Sequence, residues 1–207
     1  MTVTVDFYFD FGSPNAYLAW HAVPGIEQRT GARFDLRPAL LGGVFKATNN
    51  RSPVEAFAGI PAKLAYDRRE IERFIARHDL RRFRMNPFFP INTLAMMRGA
   101  WAARTLDVFD RYVAAVSAGM WERGLDMGDV AVFTGVLDEA GLPSADILAR
   151  SQDPAVKQML IDETQRLVER GGFGIPSFFV GDEMFFGKDR LREVEDEIVR
   201  RQGNAAI

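Results

Sequence analysis

VTVDFYFDFGSPNAYLAW, residues 3–20, is the stretch that decides the fold. Val3, Val5, Phe7 and Phe9 alternate with Thr4, Asp6, Tyr8 and Asp10, a period of two in β-prone residues that predicts a strand. Phe11, Gly12 and Ser13 turn the chain, and Pro14 followed by Ala16, Tyr17, Leu18, Ala19 and Trp20 predicts a helix. Proline suits a first helical turn and serine suits the N-cap before it. Pro24 and Gly25 are expected to end or kink that helix, and Thr30 and Gly31 mark a turn. Phe34 and Leu36, alternating within Arg33–Arg37, read as a second strand. The opening unit is β-α-β.

From about Leu40 to Arg170 helical spacing takes over and no convincing strand appears. Pro61 to Arg77 carries Leu64, Ile71, Phe74 and Ile75 among charged positions and reads as a helix. Thr93 to Trp121, rich in alanine, methionine and aromatics, reads as another. Asp129 begins a further helix that Gly141 and Pro143 close, and Pro154 starts one that runs to Gly171. Ser177 to Val180 is then an apolar strand, Gly181 and Asp182 are a hairpin signal, and Met184 to Phe186 pairs back before a helix from Asp189 to Arg201. The expected fold is α/β: a thioredoxin-like core of β-α-β and β-β-α, split by an all-helical insertion. Residues 1–40 and 171–207 form the core domain, and 41–170 form the inserted helical domain. Right-handed crossover places the start of the first helix beside the loop before the third strand, so those two loops are expected to share a site.

The 207 residues, 47% hydrophobic and 26% charged, suit an ordinary globular chain. With 26 basic and 28 acidic side chains the net charge is −2, which offers no field for nucleic acid. No run approaches a membrane span and no secretory signal is visible, so a cytoplasmic protein is expected. The absence of cysteine excludes disulfides, thiolate metal sites and a nucleophilic thiol belonging to the chain. Two histidines, His21 and His78, make a metal site improbable.

Three features can carry chemistry. Ser13 sits among unpaired backbone N–H groups at the positive end of a helix dipole, where an anion is favoured, although an N-cap role alone accounts for an isolated serine there. Ile175 precedes Pro176 at the entrance of a strand, where proline lacks a ladder donor and a cis bond at a tight approach is plausible. Gly187 and Lys188 end a strand and Asp189 starts the last helix, as a plain N-cap or as the partner of a cation. Together they suit a peptide that carries an anion and an ammonium.

The segments FDFGSPNAYLA (9–19), LLGGVFKATNN (40–50), PAKLAY (61–66), MNPFFPIN (85–92) and GGFGIPSFFVGDEMFFGKDRL (171–191) resemble the bacterial 2-hydroxychromene-2-carboxylate isomerases. Their kappa-class glutathione transferase relatives are similar too, and both are branches of the DsbA-like thioredoxin superfamily. The resemblance spans nearly the whole chain. It implies a glutathione-dependent cis–trans isomerase that converts 2-hydroxychromene-2-carboxylate, or a similar aromatic-degradation intermediate, to trans-o-hydroxybenzylidenepyruvate by reversible addition of the glutathione thiolate. By resemblance Ser13 contacts the glutathione sulfur, Ile175 and Pro176 pair with the cysteinyl unit, and Phe186, Gly187, Lys188 and Asp189 hold the γ-glutamyl end. Asn50 and Lys63 match peptide-holding positions of the kappa class. Lys46 matches a substrate-contacting lysine, and Asn86 and Phe88 fall in the segment lining the aromatic-acid pocket. Phe57 and Ala58 depart from the family, which has polar substrate contacts there. A homodimer is implied by the resemblance alone. Two other functions fit the same features: a kappa-class-like glutathione transferase or peroxidase, and a non-catalytic thioredoxin-fold module that binds extended peptides.

Overall fold

The computed structural model describes residues 2–204. Strand β1 (Thr4–Phe9) leads through the turn at Ser13 into helix α1 (Pro14–Thr30), and β2 (Arg33–Pro38) returns parallel to β1. Eight helices follow: α2 (Leu41–Thr48), α3 (Pro53–Ala56), α4 (Pro61–His78), α5 (Leu94–Thr105), α6 (Phe109–Trp121), α7 (Val130–Glu139), α8 (Ser144–Arg150) and α9 (Pro154–Glu169). Strands β3 (Ser177–Val180) and β4 (Glu183–Phe186) form a hairpin about Gly181, and a 3₁₀ turn (Lys188–Arg190) leads into α10 (Leu191–Asn204). The sheet order is β2-β1-β3-β4, with β3 antiparallel to both neighbours. This is the α/β architecture expected, with the helices inserted between β2 and β3.

As the second strand of four, β1 is covered on both faces, so its alternation does not mean a wet side. Phe7 packs on Phe178 from one face, while Tyr8 packs on Phe179 from the other and is fully buried. Arg170, just past α9, closes the Tyr8 face: it lies over the Phe179 ring and donates to Asp6 at 2.6 Å. Asp10, the last polar residue of the alternation, is 1% exposed.

Helix boundaries differ from expectation in three places. Pro24 neither ends nor visibly interrupts α1, which continues to the left-handed cap at Gly31. Proline removes one intrahelical bond, and the buried Val23 and Ile26 carry the helix past it on core contact. Thr93 to Trp121 is two helices, because Asp107 adopts φ 55° between α5 and α6. Aspartate is among the few side chains that visit that region readily. Asp189 does not start the last helix but lies within the 3₁₀ turn before it. No described helix is long and apolar enough to cross a membrane.

Candidate active site at the start of the first helix

The end of β1 and the start of α1 meet the loop before β3, because β3 runs antiparallel beside β1 with Ser177 opposite Tyr8. Ser13 is 4% exposed. Its hydroxyl accepts the Ala16 N–H at 3.2 Å, which caps α1, and donates to the Ile175 carbonyl at 3.1 Å, 162 residues away. The Ile175–Pro176 bond is cis. The Pro176 carbonyl accepts Gly187 N–H at 2.9 Å, which ties the end of β4 to the same point. Ser13, Ile175, Pro176 and Gly187 therefore lie on one chain of contacts. Among the described residues, the Ile175 N–H has no hydrogen-bond partner.

Around this centre the other candidates form a rim. Phe186 is 41% exposed, and its ring lies 4.6 Å from that of Phe173, whose carbonyl accepts from Asn50 Nδ2 at 2.7 Å. The end of α2 is thus joined to the end of β4. Lys188 is only 3% exposed: its ammonium lies over the Phe74 ring of α4 and pairs with Asp189 at 2.5 Å. Asp189 itself keeps 63% of its side chain in solvent, so it can accept a second cation. Lys63 pairs with Asp67 on α4 and lies 5.1 Å from the Phe57 ring centroid.

Three candidates stand apart. Lys46 is on a groove of about 520 Å³ between α2, α5 and α9, whose lining includes Arg98, Lys157, Leu160 and Ile161 but neither Ser13 nor Ile175. Asn86 is buried and fully engaged: its amide donates to the Met120 and Leu125 carbonyls at 2.8 and 2.9 Å, and its oxygen accepts Phe88 N–H. It clamps the 86–92 loop to the end of α6. Phe88 is half exposed on that loop, while its neighbour Phe89 packs on Trp121, whose indole N–H donates to Phe11 O at 2.8 Å.

A model of the DSBA-like thioredoxin domain matches residues 4–199. The chain belongs to that family. Within it, the chain is 29% identical over 202 residues to 2-hydroxychromene-2-carboxylate isomerase of Sphingobium xenophagum, covering 96% of this chain and 100% of that one. It is also 26% identical over 213 residues to glutathione S-transferase kappa 1 of Caenorhabditis elegans, covering 96% and 92%. A solved 2-hydroxychromene-2-carboxylate isomerase superposes with a TM-score of 0.81 at 26% identity, covering 98% of each chain.

Two polar groups within three residues of Ser13 escaped the sequence. Asp10 accepts the Gly12 N–H at 2.8 Å and the Leu41 N–H at 2.7 Å. Burial pushes its carboxyl above the usual range, against the lowering influence of those two N–H groups and of the Thr93 hydroxyl. A charged residue inside the apolar run Phe9–Phe11 was the available signal. Asn15, in the first turn of α1, has its side-chain oxygen buried with no partner among the described residues. Tyr17, one turn beyond Ser13, is committed elsewhere: its hydroxyl donates to Glu122 at 3.0 Å, and burial followed by that carboxylate pushes its acidity down.

Proposed function

We propose that this protein is a glutathione-dependent cis–trans isomerase of 2-hydroxychromene-2-carboxylate or a similar aromatic carboxylate. The single observation that carries the proposal is the Ser13–Ile175 hydrogen bond in a chain without cysteine. A hydroxyl at a helix N-terminus faces the Ile175 carbonyl, and the chain has no thiol of its own, which supports a thiol brought from outside.

The residues fit glutathione. The unpartnered Ile175 N–H is a free edge for an extended peptide. The half-exposed Asp189 suits an ammonium. When bound, glutathione supplies the nucleophilic thiol that the chain lacks. Ser13 has one proton to give, and it now rests on Ile175 O. Turning the hydroxyl from that carbonyl to a sulfur places a donor on developing negative charge, with the α1 dipole behind it. A thiol of ordinary pKa near 8.5 is mostly protonated at neutral pH, so both effects favour the reactive form. Ile175 aligns the peptide through its backbone, and Asn50, Lys63 and Phe186 to Asp189 border its ends. Lys46 and the 86–92 loop with Phe88 are the proposed contacts for the aromatic acid. A homodimer in the cytoplasm belongs to the same proposal.

Following the absorbance of hydroxychromene carboxylate with purified protein, with and without glutathione, tests it. A rate that does not depend on glutathione defeats the proposal. The likeness to the kappa-class enzyme of Caenorhabditis elegans favours a second function, glutathione transfer. Stable conjugate formed from a chloro-nitroaromatic acceptor would select it.

A further inference from the structure

The buried Asp10 carboxylate has no part in the chemistry above, yet it lies three residues before Ser13. Among the described residues no lysine, arginine or histidine pairs with it, which is unusual for an aspartate that is 1% exposed. Its oxygens are divided between two segments. Oδ1 takes the N–H of Gly12, the residue directly before Ser13, and Oδ2 takes the N–H of Leu41, the first residue of α2. The Ser13 N–H closes the same turn on the Asp10 carbonyl at 3.0 Å. Gly12 has little room to move, since an added Cβ would stand 3.1 Å from Thr93 and 3.3 Å from Asp10 Oδ1. The α2 that begins at Leu41 ends beside Asn50, which reaches the far side of the site through Phe173.

We propose that Asp10 is the positioning residue of the site: one carboxylate fixes the Gly12–Ser13 turn and fastens the start of α2 to it. The Ser13 hydroxyl and the Asn50 end of the rim are then held in one frame. The proposal rests on glutathione being the bound thiol only for its effect on the thiol, and not for the geometry.

Two variants separate the halves of the claim. Asp10→Asn keeps the shape but turns an NH₂ group toward one of the two N–H donors. Leu41→Pro removes the donor to Oδ2 together with the partly buried Leu41 side chain, for which Leu41→Ala is the control: proline is welcome at the first helical position, and Leu40, at φ −82° and ψ 111°, already has the extended backbone that precedes proline. In amide hydrogen exchange without ligand, the Gly12 and Leu41 N–H groups are protected in the native chain, and Asp10→Asn lowers the protection of at least one by about tenfold or more. With saturating glutathione, the ultraviolet titration of the bound thiolate moves upward by about one pH unit in Asp10→Asn, because the Ser13 donor is no longer aimed. Leu41→Pro raises the glutathione Kd several-fold and leaves that titration where it was.

The sign discriminates. Removing a nearby negative charge with no positional effect moves the thiolate titration downward, and a purely structural residue lowers the melting temperature without moving it. Either result overturns the proposal, as does unchanged exchange at both Gly12 and Leu41, or an unchanged Kd in Leu41→Pro. If the native chain binds no glutathione, the proposed function fails, while amide exchange still judges Asp10.

Discussion

The inner and outer halves of the site are built differently. Ser13, Ile175, Pro176 and Asp10 are buried where the central strand ends, each fixed by backbone hydrogen bonds from distant segments. Asn50, Lys63, Phe186 and Asp189 lie on helix ends and strand ends at the surface, where α3 buries no residue and α4 buries only Phe74. In the proposed function the core would hold the group that meets the sulfur, and surface elements would hold the groups that grip the peptide. Changes inside should therefore strike the chemical step, and changes outside should strike affinity.

Ser13→Ala breaks the inner half most directly. The glutathione-dependent rate should fall about 100-fold, as when one donor of a preorganised anion site is lost. Unfolding should cost only about 1 kcal/mol less, the worth of an N-cap. Steady-state kinetics beside chemical denaturation would show the two effects apart, and a rate that falls only in step with stability would erase the distinction. On the rim, Asp189→Asn should raise the glutathione Kd about tenfold and also weaken the fold by about 2 kcal/mol, because the buried Lys188 ammonium loses its carboxylate. Calorimetric titration reads the first effect and urea unfolding the second.

Smaller effects sharpen the boundary. Burial raises the Asp10 pKa in the folded state, so the native chain binds that proton more tightly than the unfolded chain. Its contribution to stability is greatest below the ordinary carboxylate range and declines as pH rises toward the raised value. Urea midpoints measured from acid to neutral pH should show this decline, and Asp10→Asn should flatten it. Lys46→Ala should leave glutathione affinity unchanged and raise the KM of the aromatic acid a few-fold, since Lys46 lies on the separate α2–α5–α9 groove.

Local patterns made the fold readable: the β1 alternation, the Ser13–Pro14 helix start, the Gly181 hairpin and the proline before β3 all correspond to elements observed. Ser13 and Ile175 were expected to share a site, and the antiparallel pairing of β3 with β1, Ser177 opposite Tyr8, is what brings them together. Asp10 was harder to place, because alternation assigns a strand's polar positions to solvent, whereas Leu41 at the start of α2 and Thr93 before α5 meet this one. Asn86 shows the converse. Its place in a distinctive segment pointed to substrate, whereas its amide is committed to Met120 and Leu125, a contact between residues far apart in the chain. The course of α1 through Pro24 was hidden for a similar reason, since the core contacts of Val23 and Ile26 outweigh one missing hydrogen bond.

The central claim is that a chain without cysteine borrows a thiol and lowers its pKa with Ser13. An ultraviolet titration of glutathione bound to the native protein and to Ser13→Ala tests it most directly. The bound thiol should ionise well below the value near 8.5 of a free thiol, and should return most of the way in Ser13→Ala. Identical titrations for free glutathione, the native complex and the variant complex would contradict it.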